Sequence, residues 1–188
     1  MFADRWEGFC LPVLFLVKQA VRTMQEYTDR ESTPRRQILY KNKRRMHTGG
    51  TMTQLQEAKA FFSQDQFAVG TTGIEIEAAD TQYARCSLKL DNRHRNAIGQ
   101  VMGGVIFTLA DFVFAVAANF GQPVTVTAVG QISFLGIVKG DVLYGESRLL
   151  KEGNHSCFYQ VTITDDLGNS IAQAIFHGIH LPDMNLIP

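Results

Sequence analysis

Features that mark a specialised class of protein are scarce in this 188-residue sequence. It has one tryptophan, three cysteines and a formal net charge of zero, with 18 basic and 18 acidic residues. Cys10, Cys86 and Cys157 match no metal-binding spacing, and their odd number favours reduced thiols in the cytoplasm. A balanced charge provides no global attraction to nucleic acid. With 45% hydrophobic residues, the composition is that of an ordinary globular protein.

Apolar runs long enough to cross a membrane are also lacking at the N-terminus. The longest run there, residues 9–17, is shorter than the about 20 residues of a helical span. Asp4 and Glu7 precede it and no small-residue cleavage site follows, so a signal peptide fits poorly. No membrane association is therefore predicted for the folded domain.

Residues 1–51 admit three interpretations. They could be a weak amphipathic membrane anchor, a partner-binding helix over residues 14–27, or translated upstream sequence. We favour the last, because a clear globular pattern begins only at Met52. The predicted organisation is an N-terminal extension over 1–51, disordered or not native, and one domain over 52–188.

Charge is nearly absent between Arg95 and Lys139, where Asp111 is the one charged side chain. It lies within an apolar helical run over residues 105–118. Burying a lone carboxylate is costly, and desolvation raises its pKa toward the range of a base or nucleophile near neutral pH. Asp111 is therefore predicted to be the centre of a functional site.

Hydrophobic periodicity predicts two helices and about six strands. Gly103 begins the long helix, which is apolar on every face and therefore expected to be buried all round. The other predicted elements are a short helix over 54–62 and strands near 74–78, 84–90, 124–134, 142–150, 157–164 and 170–181, with the first hairpin turn at 79–81. This pattern predicts an α+β hotdog fold, a curved antiparallel sheet wrapped around one helix. Because the helix covers only the concave face, a homodimer or larger assembly is expected.

The segment Asn96-Ala-Ile-Gly-Gln-Val-Met-Gly-Gly104, followed by Leu109-Ala-Asp111, carries the most specific pattern. It resembles the hotdog acyl-CoA thioesterases of the PaaI (phenylacetate-pathway) type, in which an Asn, a Gly and a His-Gly-Gly step precede an Asp on the central helix. Residues 126–127 and 132–141 are also similar to that family. Met102 departs from the pattern, since it replaces the usual His.

The resemblance implies hydrolysis of medium-chain or aromatic acyl-CoA without cofactor or metal, in a homodimer or homotetramer. It also implies that Asn96 holds the thioester or water, that Gly103 supplies an oxyanion N–H, and that Thr127 orients the nucleophilic water. Two alternatives remain open from the residues themselves. Asn96 could cap its own loop, and Thr127 could be an ordinary β-branched strand residue.

The chemistry also follows from the residue types. Backbone N–H groups at a helix N-terminus stabilise an oxyanion, and Gly103 with Gly104 would let a carbonyl approach closely. Asp111 lies eight residues further on, about 12 Å along the helix axis. The site is therefore expected to combine Gly103 of one subunit with Asp111 of another.

Other residues are weaker candidates. Met102 and Gly104 are predicted to contact the substrate. Arg93 and Arg95 flank His94 in a basic loop that could contact CoA phosphates, although a solvated loop is the alternative.

Two histidines and a cysteine near the C-terminus have simpler interpretations. His177 and His180 lie three apart on a predicted strand, so their side chains should face opposite ways, as surface or interface groups without a shared metal. Cys157 is expected to be a packed thiol.

The favoured function is an acyl-CoA thioesterase that uses carboxylate-activated water. A non-catalytic acyl-CoA-binding or regulatory hotdog protein is the alternative, which Met102 favours. A hotdog dehydratase is less consistent with the sequence, because no His lies on or just before the long helix.

Overall fold

A computed structural model describes residues 53–181 of the chain. The two α-helices are α1 (Gln54–Phe62) and α2 (Gly103–Asn119); the strands are β1 (Ile74–Asp80), β2 (Tyr83–Lys89), β3 (Thr125–Phe134), β4 (Val142–Glu152), β5 (Ser156–Asp165) and β6 (Ser170–His180). The predictions for residues 1–51 and Cys10 fall outside this range and stay predictions.

The six strands form one antiparallel sheet in the order β1-β2-β4-β5-β6-β3. Helix α2 packs against every strand of this sheet. Strand β5 shows why the sequence folds this way: Cys157, Tyr159, Val161 and Ile163 are buried on its helix side, and residues between them are more exposed. The architecture is the predicted helix-wrapped sheet.

The centre of the core is an aromatic group on α2 and the two strands beneath it. The ring of Phe114 stacks on Phe176 with centroids 5.1 Å apart and meets Tyr159 edge-on at 5.6 Å. Gly178 allows this close packing, because a Cβ there would lie 2.8 Å from Phe114 Cζ and 2.7 Å from Thr125 Cγ2. The helix and sheet are therefore closely interlocked at this point.

Helix α2 is not buried all round, so that prediction was wrong. Gly104, Thr108, Asp111 and Ala115, spaced three and four residues apart, form a partly exposed stripe. The sheet curves around the remaining faces of the helix and leaves this stripe open. The side chain of Asp111 is consequently half-buried rather than enclosed.

The two edges of the sheet differ in their cover. Strand β1 is packed by α1, whereas β3 pairs with β6 on one side only. Most of β3 is exposed, including Val126, Val129 and Phe134. Within residues 53–181 the outer edge of β3 has no strand partner, and it is ten residues long.

Two local details differ from the sequence predictions. The first hairpin turn lies at Thr81–Gln82 rather than at 79–81, and Gln82 adopts a φ of 62°. A single π-helical turn over Gln66–Thr71 was not predicted. Neither helix among the residues described has the length and hydrophobicity needed to cross a bilayer.

Candidate active site

Asp111 lies in a pocket of about 250 Å³ between α2 and the π-helical turn. The lining is mostly apolar and is made by Asp65, Phe67, Ala68, Phe107, Thr108, Asp111, Phe112 and Ala115. The open stripe of α2 therefore forms one wall of a cleft with a carboxylate at its side. Clefts of this kind, apolar with a few polar groups, are typical of small-molecule sites.

The hydroxyl of Thr127 on β3 donates a hydrogen bond to Asp111 Oδ1, with 3.1 Å between the oxygens. Burial raises the pKa of the Asp111 carboxyl above its ordinary value, the bond from Thr127 opposes that rise, and the charge of Asp65 adds to it. The carboxylate is thus a stronger base than an exposed aspartate, and Thr127 fixes one of its oxygens.

Asp65 is a residue that sequence reasoning missed. Its Oδ1 accepts hydrogen bonds from the backbone N–H groups of Phe67 (3.1 Å) and Ala68 (2.8 Å), so it caps the π-helical turn. Aspartate is a common N-cap residue directly before a helical turn, so its position in the sequence could have identified Asp65 as a cap. Its place in the pocket depends on how that turn packs on α2.

Helix α2 begins at Gly103, and its N-cap residue, Met102, makes no side-chain capping bond. No side chain at this N-cap therefore accepts a hydrogen bond from the N–H groups of the first turn. A helix N-terminus must leave these N–H groups free in order to stabilise a bound anion. A Cβ at Gly103 would lie 3.1 Å from Phe134 Cζ, so the glycine lets that ring approach the helix end. Met102 is exposed and lies over Gly104.

The loop before α2 is stabilised by Asn96. Its Oδ1 accepts hydrogen bonds from the N–H groups of Ile98 (3.1 Å) and Gln100 (3.0 Å). The side-chain oxygen of Asn96 therefore caps its own loop, which was one of the two open interpretations of this residue. The side-chain nitrogen, Nδ2, makes no hydrogen bond within residues 53–181. That amide remains available as a donor to a bound group.

His94 is buried, which contradicts the prediction of a solvated or phosphate-contacting histidine. Its Nδ1 accepts from the Asp91 N–H at 2.9 Å, and its Nε2 lies 2.9 Å from the Thr72 carbonyl oxygen. Because the carbonyl can only accept, these contacts assign the proton to Nε2. The ring holds the loop to the π-helical turn, which no local sequence pattern reveals.

The two arginines of this loop are in different situations. Arg93 pairs with Asp91 at 2.8 Å and donates to the Thr71 carbonyl, and its guanidinium lowers the pKa of the Asp91 carboxyl to about 2. Arg95 donates to the Gly99 carbonyl at 3.0 Å and has no acidic partner among the residues described. The positive charge of Arg93 is offset by Asp91, whereas that of Arg95 is not offset within the described part of the chain. Arg95 is therefore the better placed of the two arginines to attract a phosphate.

His177 and His180 face opposite sides of β6, as predicted. His177 stacks on Phe158 with centroids 4.4 Å apart, on the more exposed side of the sheet. His180 is buried, which contradicts its prediction as a surface or interface residue. The thiol of Cys157 is also buried, and burial raises its pKa to about 11, as expected of a packed cysteine.

Comparison with known proteins identifies the domain. The model of the thioesterase superfamily matches residues 98–172. This chain contains a thioesterase superfamily domain. The acyl-coenzyme A thioesterase PaaI of Escherichia coli is 28% identical over 125 residues, which are 65% of this chain and 86% of PaaI. A presumed esterase of Archaeoglobus fulgidus is 28% identical over 93 residues, 49% of this chain, and the match spans only 60% of that protein's length.

Solved structures confirm the fold of the described domain. E. coli PaaI superposes with a TM-score of 0.63 at 24% identity, covering 68% of this chain and 93% of PaaI. A hypothetical thioesterase of Streptococcus pneumoniae, solved with coenzyme A, gives 0.60 at 24% identity, covering 64% and 96%. The predicted hotdog fold and thioesterase class are both confirmed.

The streptococcal protein has also been solved with an Asp replaced by Ala and with a Thr replaced by Ala. The two replaced positions are sixteen residues apart, as are Asp111 and Thr127. These variant structures are 26% identical to this chain, with TM-scores of 0.55 over 57% of it.

The contacts of Asp111 predict opposite effects of two substitutions on its pKa. Thr127→Val removes a hydrogen bond to the ionised form and should raise the pKa of Asp111 further. Asp65→Asn keeps an oxygen to cap the turn but removes a negative charge, so it should lower that pKa. Titration of the Asp111 carboxyl carbon by NMR measures both shifts. Shifts of the same sign would contradict this account of the site.

Proposed function

We propose that the protein hydrolyses acyl-CoA thioesters with medium-chain or aromatic acyl groups, using water activated by Asp111. The observation that supports this most is a half-buried carboxylate, held by Thr127, in an apolar pocket of a thioesterase-superfamily domain. PaaI of E. coli bears the name acyl-coenzyme A thioesterase, and the streptococcal relative was crystallised with coenzyme A. No cofactor is needed for this chemistry.

The mechanism uses Asp111 as a general base. Its free oxygen accepts a proton from water while the hydroxide attacks the thioester carbonyl carbon. The resulting oxyanion is stabilised by the N–H of Gly103 at the start of α2, and Asn96 Nδ2 can hold the carbonyl or the water. Collapse breaks the carbon–sulfur bond, and the CoA thiolate takes the proton from Asp111.

Two subunits are required for this arrangement. Asp111 and Gly103 are about 12 Å apart along one helix, too far for both to reach one carbonyl. The exposed edge of β3 offers the means of bringing two copies together, because antiparallel pairing of β3 with its symmetry mate would satisfy its free backbone groups. In the proposed dimer, Gly103 of one subunit faces Asp111 of the other.

A dimer of dimers is supported by the outer face of the sheet. Leu150, Phe158 and Ile175 are exposed there although they are large and apolar. Packing two dimers through this face would remove that surface from water, which favours a homotetramer. Reduced Cys86 and Cys157 fit the proposed cytoplasmic location.

We assign specificity for the acyl group to the apolar lining of the pocket and to the residues at the start of α2. Phe67, Phe107 and Phe112 line the pocket and would contact an acyl group. Met102 and Gly104 flank Gly103 at the start of α2 and are assigned to substrate contact, and a methionine in place of histidine there would favour apolar chains over polar ones. Arg95 is the proposed contact to the CoA phosphates, with Arg93 secondary because Asp91 offsets its charge.

A mixed dimer tests the shared site. A subunit with Asp111→Asn and one with Gly103→Val, carrying different affinity tags, would be co-expressed and purified through both tags. One of the two sites then contains wild-type Gly103 and wild-type Asp111, so about half of the wild-type kcat is expected. Each variant alone should be inactive. An inactive mixed dimer of wild-type thermal stability would show that each site lies within one subunit.

The alternative, a non-catalytic acyl-CoA-binding protein, is favoured by Met102 alone. Methionine offers no useful hydrogen bond where the resembled family has histidine. Thiol release and calorimetric binding, measured on the same panel of acyl-CoAs, separate the two functions. Micromolar binding without thiol release from any substrate would support the alternative.

A further inference from the structure

Three side chains with metal-binding atoms meet at one end of the sheet. Glu152 ends β4, Cys157 lies opposite it in the β4–β5 ladder, and His180 ends β6. One ligand atom from each residue lies within 4.8 Å of the other two. None of the three lines the pocket of Asp111, so the cluster is separate from the proposed active site.

The ring of His180 is held in one orientation by Thr125. The Thr125 hydroxyl donates to the Pro123 carbonyl at 2.9 Å, and the same oxygen lies 2.8 Å from His180 Nδ1. Because a hydroxyl has one hydrogen, the bond to His180 requires that Nδ1 carry the proton. In the neutral ring, Nε2 then presents a lone pair, which is the arrangement found in histidines that bind metals.

His180 Nε2 is buried and makes no hydrogen bond within residues 53–181. Glu152 Oε1 lies 2.9 Å away, but it is not aligned with the ring nitrogen as an acceptor would be. With a neutral His180 ring and an ionised Glu152, two electron-rich atoms face each other at short range near the Cys157 sulfur. A shared cation would remove this unfavourable contact.

We propose that Glu152, Cys157 and His180 form a Zn²⁺-binding site. Thiolate, imidazole and carboxylate are the ligands zinc prefers, and a thiolate plus a carboxylate offset its charge. Glu152 is 34% exposed, so solvent can supply the fourth ligand. The ion would connect the end of the β4–β5 hairpin to the end of β6.

The spacing of the ligands fits this ion after a small adjustment. Zinc bonds of about 2.0–2.2 Å at tetrahedral angles place a nitrogen and an oxygen about 3.3–3.5 Å apart. The present separation of 2.9 Å between His180 and Glu152 is slightly shorter. Glu152 is the least buried ligand and lies at a strand end, so its side chain can make the shift. Zinc would also displace the proton of the Cys157 thiol.

Metal titration of the full-length chain tests the proposal. The protein, freed of metal with a chelator, would be titrated with Co²⁺ and with Zn²⁺ in competition with a chromophoric chelator. We expect one ion per chain, a near-ultraviolet sulfur-to-cobalt band and a higher Tm. Cys157→Ser should abolish the band, and His180→Gln should weaken binding at least tenfold. Cys86→Ser, which removes a buried thiol elsewhere, and Cys10→Ser should change neither.

Several results would overturn the site. The wild-type protein could lack the cobalt–sulfur band, or the band could disappear with Cys10→Ser or Cys86→Ser instead. Nitrogen NMR could also show both ring nitrogens of His180 protonated at neutral pH and unchanged by zinc. In that case Glu152 and His180 form an ion pair only. The wild-type spectra decide the question even if Cys157→Ser does not fold.

Discussion

Asp111→Asn is expected to lower kcat for acyl-CoA hydrolysis about 100- to 10,000-fold, the usual contribution of a general base. Asparagine has the same shape and can still accept the Thr127 hydrogen bond through its oxygen. The pocket and the subunit contacts should therefore persist while the proton acceptor is lost. Initial rates of thiol release on an acyl-CoA panel, with size-exclusion chromatography and light scattering, measure both properties.

Asp80→Asn provides the matched control for this substitution. It makes the same chemical change at the exposed end of β1, and Asp80 does not line the pocket. Its kcat and KM should equal those of the wild type. Wild-type turnover in Asp111→Asn would show that this carboxylate is not the base, and the mechanism proposed above would then be wrong.

Phe114→Ala is expected to lower the free energy of unfolding by about 3–5 kcal/mol, as is typical of a fully buried phenylalanine. The ring is 1% exposed and contacts both Phe176 and Tyr159. Removing it opens a cavity where helix and sheet are most closely packed, and the glycine at 178 leaves no side chain to fill it. Urea denaturation followed by circular dichroism measures the loss.

Leu167→Ala is the control for this experiment, because Leu167 is 66% exposed in the β5–β6 turn. Its effect should stay within about 0.5 kcal/mol. All variants should be compared at one protein concentration, since dimer dissociation can contribute to the measured stability. A loss below about 1 kcal/mol for Phe114→Ala would contradict the packing described for the core.

The elements of the fold could be predicted because their signals are local. Strand β5 alternates buried and exposed residues, and α2 is a continuous apolar run between glycines, so each pattern defines an element without knowledge of its neighbours. The order of these elements then leaves few arrangements for one helix and six strands. The pattern around Asn96 and Gly103 added the resemblance to thioesterases.

The predictions that failed concern the surroundings of single side chains. His94 was expected in solvent but is buried by bonds to Asp91 and to Thr72, 22 residues away. The exposed stripe around Asp111 was missed because periodicity shows that a helix is apolar, not which of its sides the sheet covers. Burial at such positions is a property of packing and not of the local pattern.

By itself, the sequence determined the helix, the strands, the lone carboxylate on the helix and the class of protein. The tertiary structure decided what that carboxylate contacts: Thr127 reaches it only because β3 lies beside α2 in one particular register. It also decided the meeting of Glu152, Cys157 and His180 at the ends of three strands. Strand pairing brings residues from distant parts of the chain into contact, and a shift of one residue would turn each side chain to the opposite face.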